Sequence, residues 1–296
     1  MTLPSSLLHF LCRACAVAPG DLQVSPVSGG SINTALRLHT RTGPSFFVKH
    51  NSARIFPHLF EREAEGLRHL AATGTLRTPE VIATGVVEDH QVLVLEWIEP
   101  GPRTGTFWTR FGEGLAALHH VSREHFGFDG DNHMGSVPQD NRPSESWTLF
   151  FRTQRLEPLL QRCRKKERVP PQWEAAFLRL YEALPKLFPE EPPALLHGDL
   201  WSGNFLCAAG GLPVLIDPAV YYGHRAIDLG MTKLFGGFPP SFYEAYHYHH
   251  PRTEATGAQE EICNLYPLLI HLYLFGPAYR SAIERILQRY VPGHGV

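Results

Sequence analysis

Residues 195–218, LLHGDLWSGNFLCAAGGLPVLIDP, hold the densest run of reactive side chains in the chain. His197-Gly198-Asp199 is followed by Asn204, and Asp217 comes thirteen residues later, behind the apolar run Val214-Leu215-Ile216. Moving a phosphoryl group needs a carboxylate that orients the attacking hydroxyl and accepts its proton. It also needs hard oxygen ligands for a Mg²⁺ ion that bridges the phosphates of a nucleotide. A loop carrying Asp199 and Asn204, followed by a hairpin that returns Asp217, would supply all three groups. The bland alternative is a turn rich in Asp and Asn, and the joint spacing of the three argues against it.

Such chemistry requires further parts upstream, and the order of the sequence provides them. Ser28-Gly29-Gly30-Ser31-Ile32-Asn33 falls between two strand-like segments. Glycines there let backbone N–H groups approach phosphate oxygens, so Gly29, Gly30, Ser31 and Asn33 are expected around ATP, although a Gly-Gly hairpin alone is common. Lys49 closes the segment Phe46-Phe47-Val48, where a lysine would reach the α- and β-phosphates. Glu63, fourteen residues on, is its expected partner. Glu61 and Glu65 are rivals, and Glu63 is preferred because it stands one turn before Leu67, on the flank of an apolar stripe. Leu95-Glu96-Trp97-Ile98 ends the last strand, where backbone groups at Glu96 and Ile98 would meet adenine.

The elements that must position these residues divide the chain in two. Leu7 to Ala18 reads as a first helix, with Ser5 or Ser6 as its N-cap and Pro19-Gly20 as its stop. Leu22 to Ser28, Thr34 to Thr40 and Ser45 to His50 read as strands. Phe60 to Ala71 carries Phe60, Ala64, Leu67 and Leu70 at helical spacing. Strands over Glu80 to Glu88 and Gln91 to Trp97 follow. Glu99-Pro100-Gly101-Pro102 breaks the pattern as a hinge. Beyond it, helices are predicted over 105–121, 145–165, 171–187, 258–275 and 278–290, with a strand-like interlude from Ala194 to Ile216. The expected fold class is therefore α+β, with a small antiparallel β-sheet lobe bearing one helix over 1–98 and a larger, mainly helical lobe over 99–296.

Composition removes other classes. With 296 residues, 43% hydrophobic and 19% charged, the chain can bury a large core and is neither a disordered tail nor a disulfide-stapled miniature. Lys and Arg total 27 against 29 Asp and Glu, a net charge of −2, which offers no basic field for nucleic acid. The most apolar stretch, Leu265 to Tyr279, is too short to span a membrane and is broken by Pro267, His271, Gly276 and Pro277. Five cysteines, an odd count, suit a reduced cytoplasmic compartment. Cys12 and Cys15 form a lone C-x-x-C without a second pair. The cluster His247, His249 and His250 reads as a solvated loop rather than a ligand set.

The chain resembles the fructosamine/ketosamine kinase family, within the aminoglycoside-phosphotransferase-like branch of the protein-kinase fold. The resemblance is carried by Gly29-Gly30-Ser31-Ile32-Asn33, Phe47-Val48-Lys49, Phe60 to Leu70 with Glu63, Leu196 to Asn204 and Ile216-Asp217-Pro218-Ala219. Tyr222-Gly223-His224, Phe235-Gly236-Gly237-Phe238 and Ser241-Phe242-Tyr243-x-Ala245-Tyr246 separate it from generic aminoglycoside or choline kinases. It covers about residues 20 to 290. What it implies is ATP- and Mg²⁺-dependent phosphorylation of the C3 hydroxyl of ketosamines, on glycated small amines or protein lysines. The unstable product then releases the amine. Bacterial-type members prefer ribulosamines and erythrulosamines to fructosamines.

By motif matching, Asp199 is the base, Asn204 and Asp217 the Mg²⁺ ligands, Lys49 the phosphate anchor and Glu63 its partner. Trp201 is a wall of the sugar pocket. His271 contacts substrate within His271-Leu272-Tyr273-Leu274-Phe275-Gly276, where Tyr273 departs from the family's Asn. Asp228 supports the catalytic-loop backbone, and His197 is structural. Ser31 stands where some relatives carry Cys, so no disulfide switch is expected. Small-molecule phosphotransfer of the aminoglycoside or choline type is the alternative reading, and a pseudokinase acting as a binding module is a remoter one. The expected state is a cytoplasmic monomer.

Overall fold

The computed structural model describes residues 3–28, 33–41 and 43–291. Gly29, Gly30 and Ser31 lie outside the described residues. The first lobe runs α1 (Ser5–Ala14), β1 (Leu22–Pro26), β2 (Thr34–Thr40), β3 (Phe46–Ser52), α2 (Leu59–Ala72), β4 (Val81–Val87) and β5 (His90–Glu96). The strands form one antiparallel sheet in the order β1-β2-β3-β5-β4. Because side chains alternate across a strand, the two faces of β3 and β5 meet different helices. Val48, Val92 and Val94 pack with Leu36, Leu38 and the α1 residues Leu7 and Leu11. Phe47, Leu93 and Leu95 pack on the other face against Leu59, Phe60, Ala64 and Leu67 of α2. Lys49 shares the alternation of Phe47, and so it is presented to α2.

The second lobe begins with α3 (Phe107–His120) and a small hairpin, β6 (Asn132–Met134) with β7 (Val137–Gln139). A short α4 (Trp147–Phe150) passes through a π-helical stretch, Phe151–Leu156, into α5 (Glu157–Lys165), followed by α6 (Trp173–Leu187). Then come β8 (Ala194–Leu196), the hairpin β9 (Phe205–Ala208) and β10 (Leu212–Leu215), and β11 (Tyr221–Gly223), which pairs antiparallel with β8. Five helices close the lobe: α7 (Ala226–Leu234), α8 (Pro240–His249), α9 (Thr256–Cys263), α10 (Leu265–Phe275) and α11 (Arg280–Tyr290). Among the described residues, no helix is long and apolar enough to cross a membrane.

The β9–β10 hairpin is stitched to the segment joining the lobes. Gly101 N–H donates to the Cys207 carbonyl at 2.8 Å, and Ala209 N–H to the Glu99 carbonyl at 3.2 Å. A Cβ on Gly101 would lie 2.5 Å from the Ala208 carbonyl oxygen, so only glycine lets the two chains approach this closely. Leu215 N–H donates to Arg77 of the first lobe at 2.8 Å.

Several elements differ from the sequence reading. Helix α1 starts at Ser5 behind Pro4 without a serine side-chain cap, and it ends at Ala14, with Ala16 beyond it at φ 54°. The region 258–275 is two helices separated at Asn264. Helices α7 and α8 occupy a stretch where no helix was predicted. Residues 226–232 of α7 are all buried, which erases the amphipathic period, and α8 is rich in Tyr and His, which are weak helix formers. The histidine cluster is not a loop. His247 and His249 close α8, and the His250 ring stacks on His120 at 4.1 Å while its Nε2 donates to the Ala116 carbonyl at 3.1 Å. Among the described residues, no three His, Cys, Asp or Glu side chains gather as a metal-binding group.

Candidate active site

The loop between β8 and β9 carries the central residues, and its shape is fixed from beneath. Gly198 sits at φ +84°, with a Cβ position only 2.1 Å from the Ala219 carbonyl oxygen, so no side chain fits there. Asp228, fully buried in the first turn of α7, accepts hydrogen bonds from His197 N–H at 2.8 Å and Gly198 N–H at 2.9 Å. His119 Nε2 lies 3.2 Å from the same carboxylate. His197 Nε2 donates to the Ile216 carbonyl at 2.9 Å, leaving Nδ1 to accept Asp199 N–H at 3.3 Å. Burial lowers the pKa of His197, which suits this neutral role. The imidazole thus ties the loop to the chain just ahead of Asp217.

Above this floor the oxygen-bearing groups converge. Asn204 Nδ2 donates at 2.9 Å to both the Asp199 carbonyl and Asp199 Oδ2. That orientation spends the amide nitrogen and leaves Oδ1 for another partner. Lys49 Nζ donates to Glu63 Oε1 at 2.7 Å and to Asp217 Oδ1 at 2.6 Å. Burial alone would lower the Lys49 pKa, but Asp217 and Glu63 outweigh it and hold the ammonium above its ordinary value. Glu63 is the acid of α2 that reaches Lys49. Glu61 pairs instead with His58, and Glu65 with Arg62.

Asp199 is held differently. Burial, and then the nearby Asp217 charge, push its carboxyl from the ordinary 3.8 up to about 7. A carboxyl poised there can accept a proton from an alcohol near neutral pH. A cavity of about 200 Å³ is lined by Lys49, Glu63, Asp199, Asn204 and Asp217, with Trp201 and Asn33 also on its wall. The Asn33 Oδ1 accepts Asn51 Nδ2 at 2.6 Å.

Other predicted site residues lie elsewhere. Glu96 and Ile98 do not line this cavity. The Glu96 carboxylate bonds Arg77 and the Glu80 amide, and Ile98 is buried against Ala208 and Val214. His271 is also outside it, donating from Nδ1 to the Pro267 carbonyl at 2.7 Å. Its ring is linked to the cavity wall through Phe235, which contacts both His271 and Trp201.

The structure also adds Arg62, Asn132 and His133 to the lining. Asn132 Nδ2 donates to the Val220 carbonyl at 2.7 Å, and its Oδ1 accepts Gln139 at 2.8 Å and Asn141 at 3.0 Å. Buried Arg155, from the π-helical stretch, holds Asn141 Oδ1 at 2.6 Å. The local asparagines gave no spacing signal of their own, because their partners lie up to 88 positions away.

A five-stranded sheet with a Lys–Glu pair, joined to an Asp/Asn loop and a following Asp, defines a phosphotransferase of the kinase class. The choline kinase LicA from Streptococcus pneumoniae superposes with a TM-score of 0.58 at 16% identity, covering 96% of this chain and 98% of that one. That likeness gives the fold. The family model for fructosamine kinase matches residues 16–292, so the chain belongs to the fructosamine kinase family. It is 40% identical over 264 residues to a probable ketoamine kinase of Synechocystis, covering 89% of this chain and 88% of that protein. It is 36% identical to the chloroplastic protein-ribulosamine 3-kinase of Arabidopsis thaliana, covering 91% of this chain and 82% of that protein.

Proposed function

We propose that this kinase transfers the γ-phosphoryl group of ATP to the C3 hydroxyl of ketosamines, taking ribulosamines and erythrulosamines ahead of fructosamines. The observation that carries the reading is the convergence of Asp199, Asn204, Asp217, Lys49 and Glu63 on one cavity walled by Trp201. Similarity to proteins named ketoamine kinase and protein-ribulosamine 3-kinase favours this acceptor over an aminoglycoside or choline.

Asp199 orients the acceptor hydroxyl and takes its proton as the hydroxyl oxygen bonds to the γ-phosphorus. The bond from that phosphorus to the bridging oxygen breaks, and ADP leaves. Lys49, steadied by Glu63, anchors the α- and β-phosphates. Asn33, with Gly29, Gly30 and Ser31, cradles the phosphates, and backbone groups at Glu96 and Ile98 receive adenine. The free Oδ1 of Asn204 and the carboxylate of Asp217 fit Mg²⁺, an oxygen-seeking cation that keeps several waters. When bound, that ion neutralises charge on the transferring phosphates. Trp201 packs the sugar, His271 contacts the substrate, and Asp228 holds the loop.

The product 3-phosphate breaks down and frees the amine, so on protein lysines the reaction reverses glycation. The proposal includes a monomer working in the cytoplasm, and five free thiols suit that reducing compartment. The test is ATP–Mg²⁺ turnover on ribulosyl-lysine, fructosyl-lysine and kanamycin, with Asp199→Asn as control. Ribulosyl-lysine turnover that Asp199→Asn abolishes is expected. Kanamycin phosphorylation with both ketosamines untouched would overturn the reading.

A further inference from the structure

Five rings form a continuous track leading away from the cavity. Trp201, 37% exposed, lines the cavity beside Asp199. Its ring meets Phe235 nearly edge-on, with centroids 6.1 Å apart, and Phe235 meets His271 at 4.9 Å. His271 in turn touches Phe275 at 5.4 Å and Tyr279 at 5.0 Å. At the far end Phe275 is 58% exposed. The track is assembled from three separate parts of the chain: the catalytic loop, the segment after α7, and the end of α10 with the turn that follows it. Phe235 and Tyr279 pack one side on the core of the second lobe, while both ends of the track are open.

We infer that this track is a subsite for the amine half of the substrate, receiving the protonated secondary amine and methylene stem of a glycated lysine whose sugar lies at Asp199. The inference rests on the ketosamine reading. The stem covers the near rings, and the peptide that carries the lysine reaches Phe275 and Tyr279 at the far end. The sugar is polar and falls among the carboxylates and amides, whereas the stem is apolar and gains by covering ring faces. The secondary amine between them is cationic at neutral pH, and aromatic faces attract a cation directly. Continuity with Trp201 commits the track to the rest of the molecule already held in the cavity.

The experiment compares two acceptors, an Nε-ribulosyl-lysine peptide and ribulosylmethylamine, which lacks the stem. Phe275→Ala and Tyr279→Ala are expected to raise KM for the peptide about fivefold or more, with kcat within about twofold, and to leave both constants for ribulosylmethylamine within about twofold. Phe275→Tyr, which keeps the ring, is expected to behave as wild type. Phe275→Leu keeps bulk without a ring and serves if the alanine variant does not fold; it is expected to show the same peptide-specific rise. Unchanged peptide KM in these variants would overturn the subsite, as would an equal rise for both acceptors. Wild-type failure on both acceptors would instead overturn the ketosamine reading itself.

Discussion

Asp199 is tuned first by burial and then by the Asp217 charge. Its carboxyl stands near 7 because burial and the Asp217 charge disfavour ionisation. In the nucleotide-free enzyme, titration of this carboxyl by ¹³C NMR is expected near 7, and Asp217→Asn is expected to move it downward by removing the like charge. Asp199→Asn should lower kcat by at least about 10²-fold, the scale of a lost general base. The same substitution should stabilise the protein at pH 8. A raised folded-state pKa means that stability is complete below about 4 and declines as pH rises through 7, so removing the titration restores up to about 4 kcal/mol at pH 8. Below pH 4 the difference should vanish. Thermal melts across this range check both the sign and the window.

At the scale of elements, α7 acts as a pedestal for the catalytic loop. Asp228 uses both carboxylate oxygens on the amides of His197 and Gly198. Asp228→Ala leaves two buried N–H groups without acceptors and should cost about 2–4 kcal/mol in denaturant unfolding. Its kcat should fall sharply while KM for ATP stays within about twofold, because the loop loses its set and the Lys49 side of the site does not. Helix α7 was also the element least legible in the sequence. Strand β3 and helix α2 announced themselves through aromatic and β-branched residues and a 3.6-residue stripe, and Lys49 and Glu63 could be placed with them. A helix buried on every side carries no stripe, and Asp228 was found only through motif resemblance. The Asp199–Asn204–Asp217 group was legible because one short stretch holds it. Asn132 and His133 were not, because the β6–β7 hairpin reaches the cavity only through packing on α2 and long-range side-chain bonds.

Across the whole molecule, one ammonium ties the lobes together at the site. Lys49 lies between Glu63 of its own lobe and Asp217 of the other. Lys49→Met should abolish nucleotide binding, measured by calorimetry, and destabilise the fold by about 3–5 kcal/mol because two close carboxylates lose their counter-charge. Burial already pushes the Glu63 carboxyl up to about 7 and Lys49 holds it down, so without the lysine the variant's Tm should climb as pH falls from 8 to 6; a flat profile would speak against this. The pairing also has a bearing on biosynthesis. Lys49 and Asp217 are 168 positions apart, and a ribosome adding about 5–20 residues per second needs roughly 10–30 s to deliver the second after the first. All five strands of the first sheet, and α2 with Glu63, emerge well before then. The nascent lobe can therefore shelter its lysine with a single acid while the rest of the polypeptide is still being made, and competence to hold nucleotide arrives only with the last third of translation.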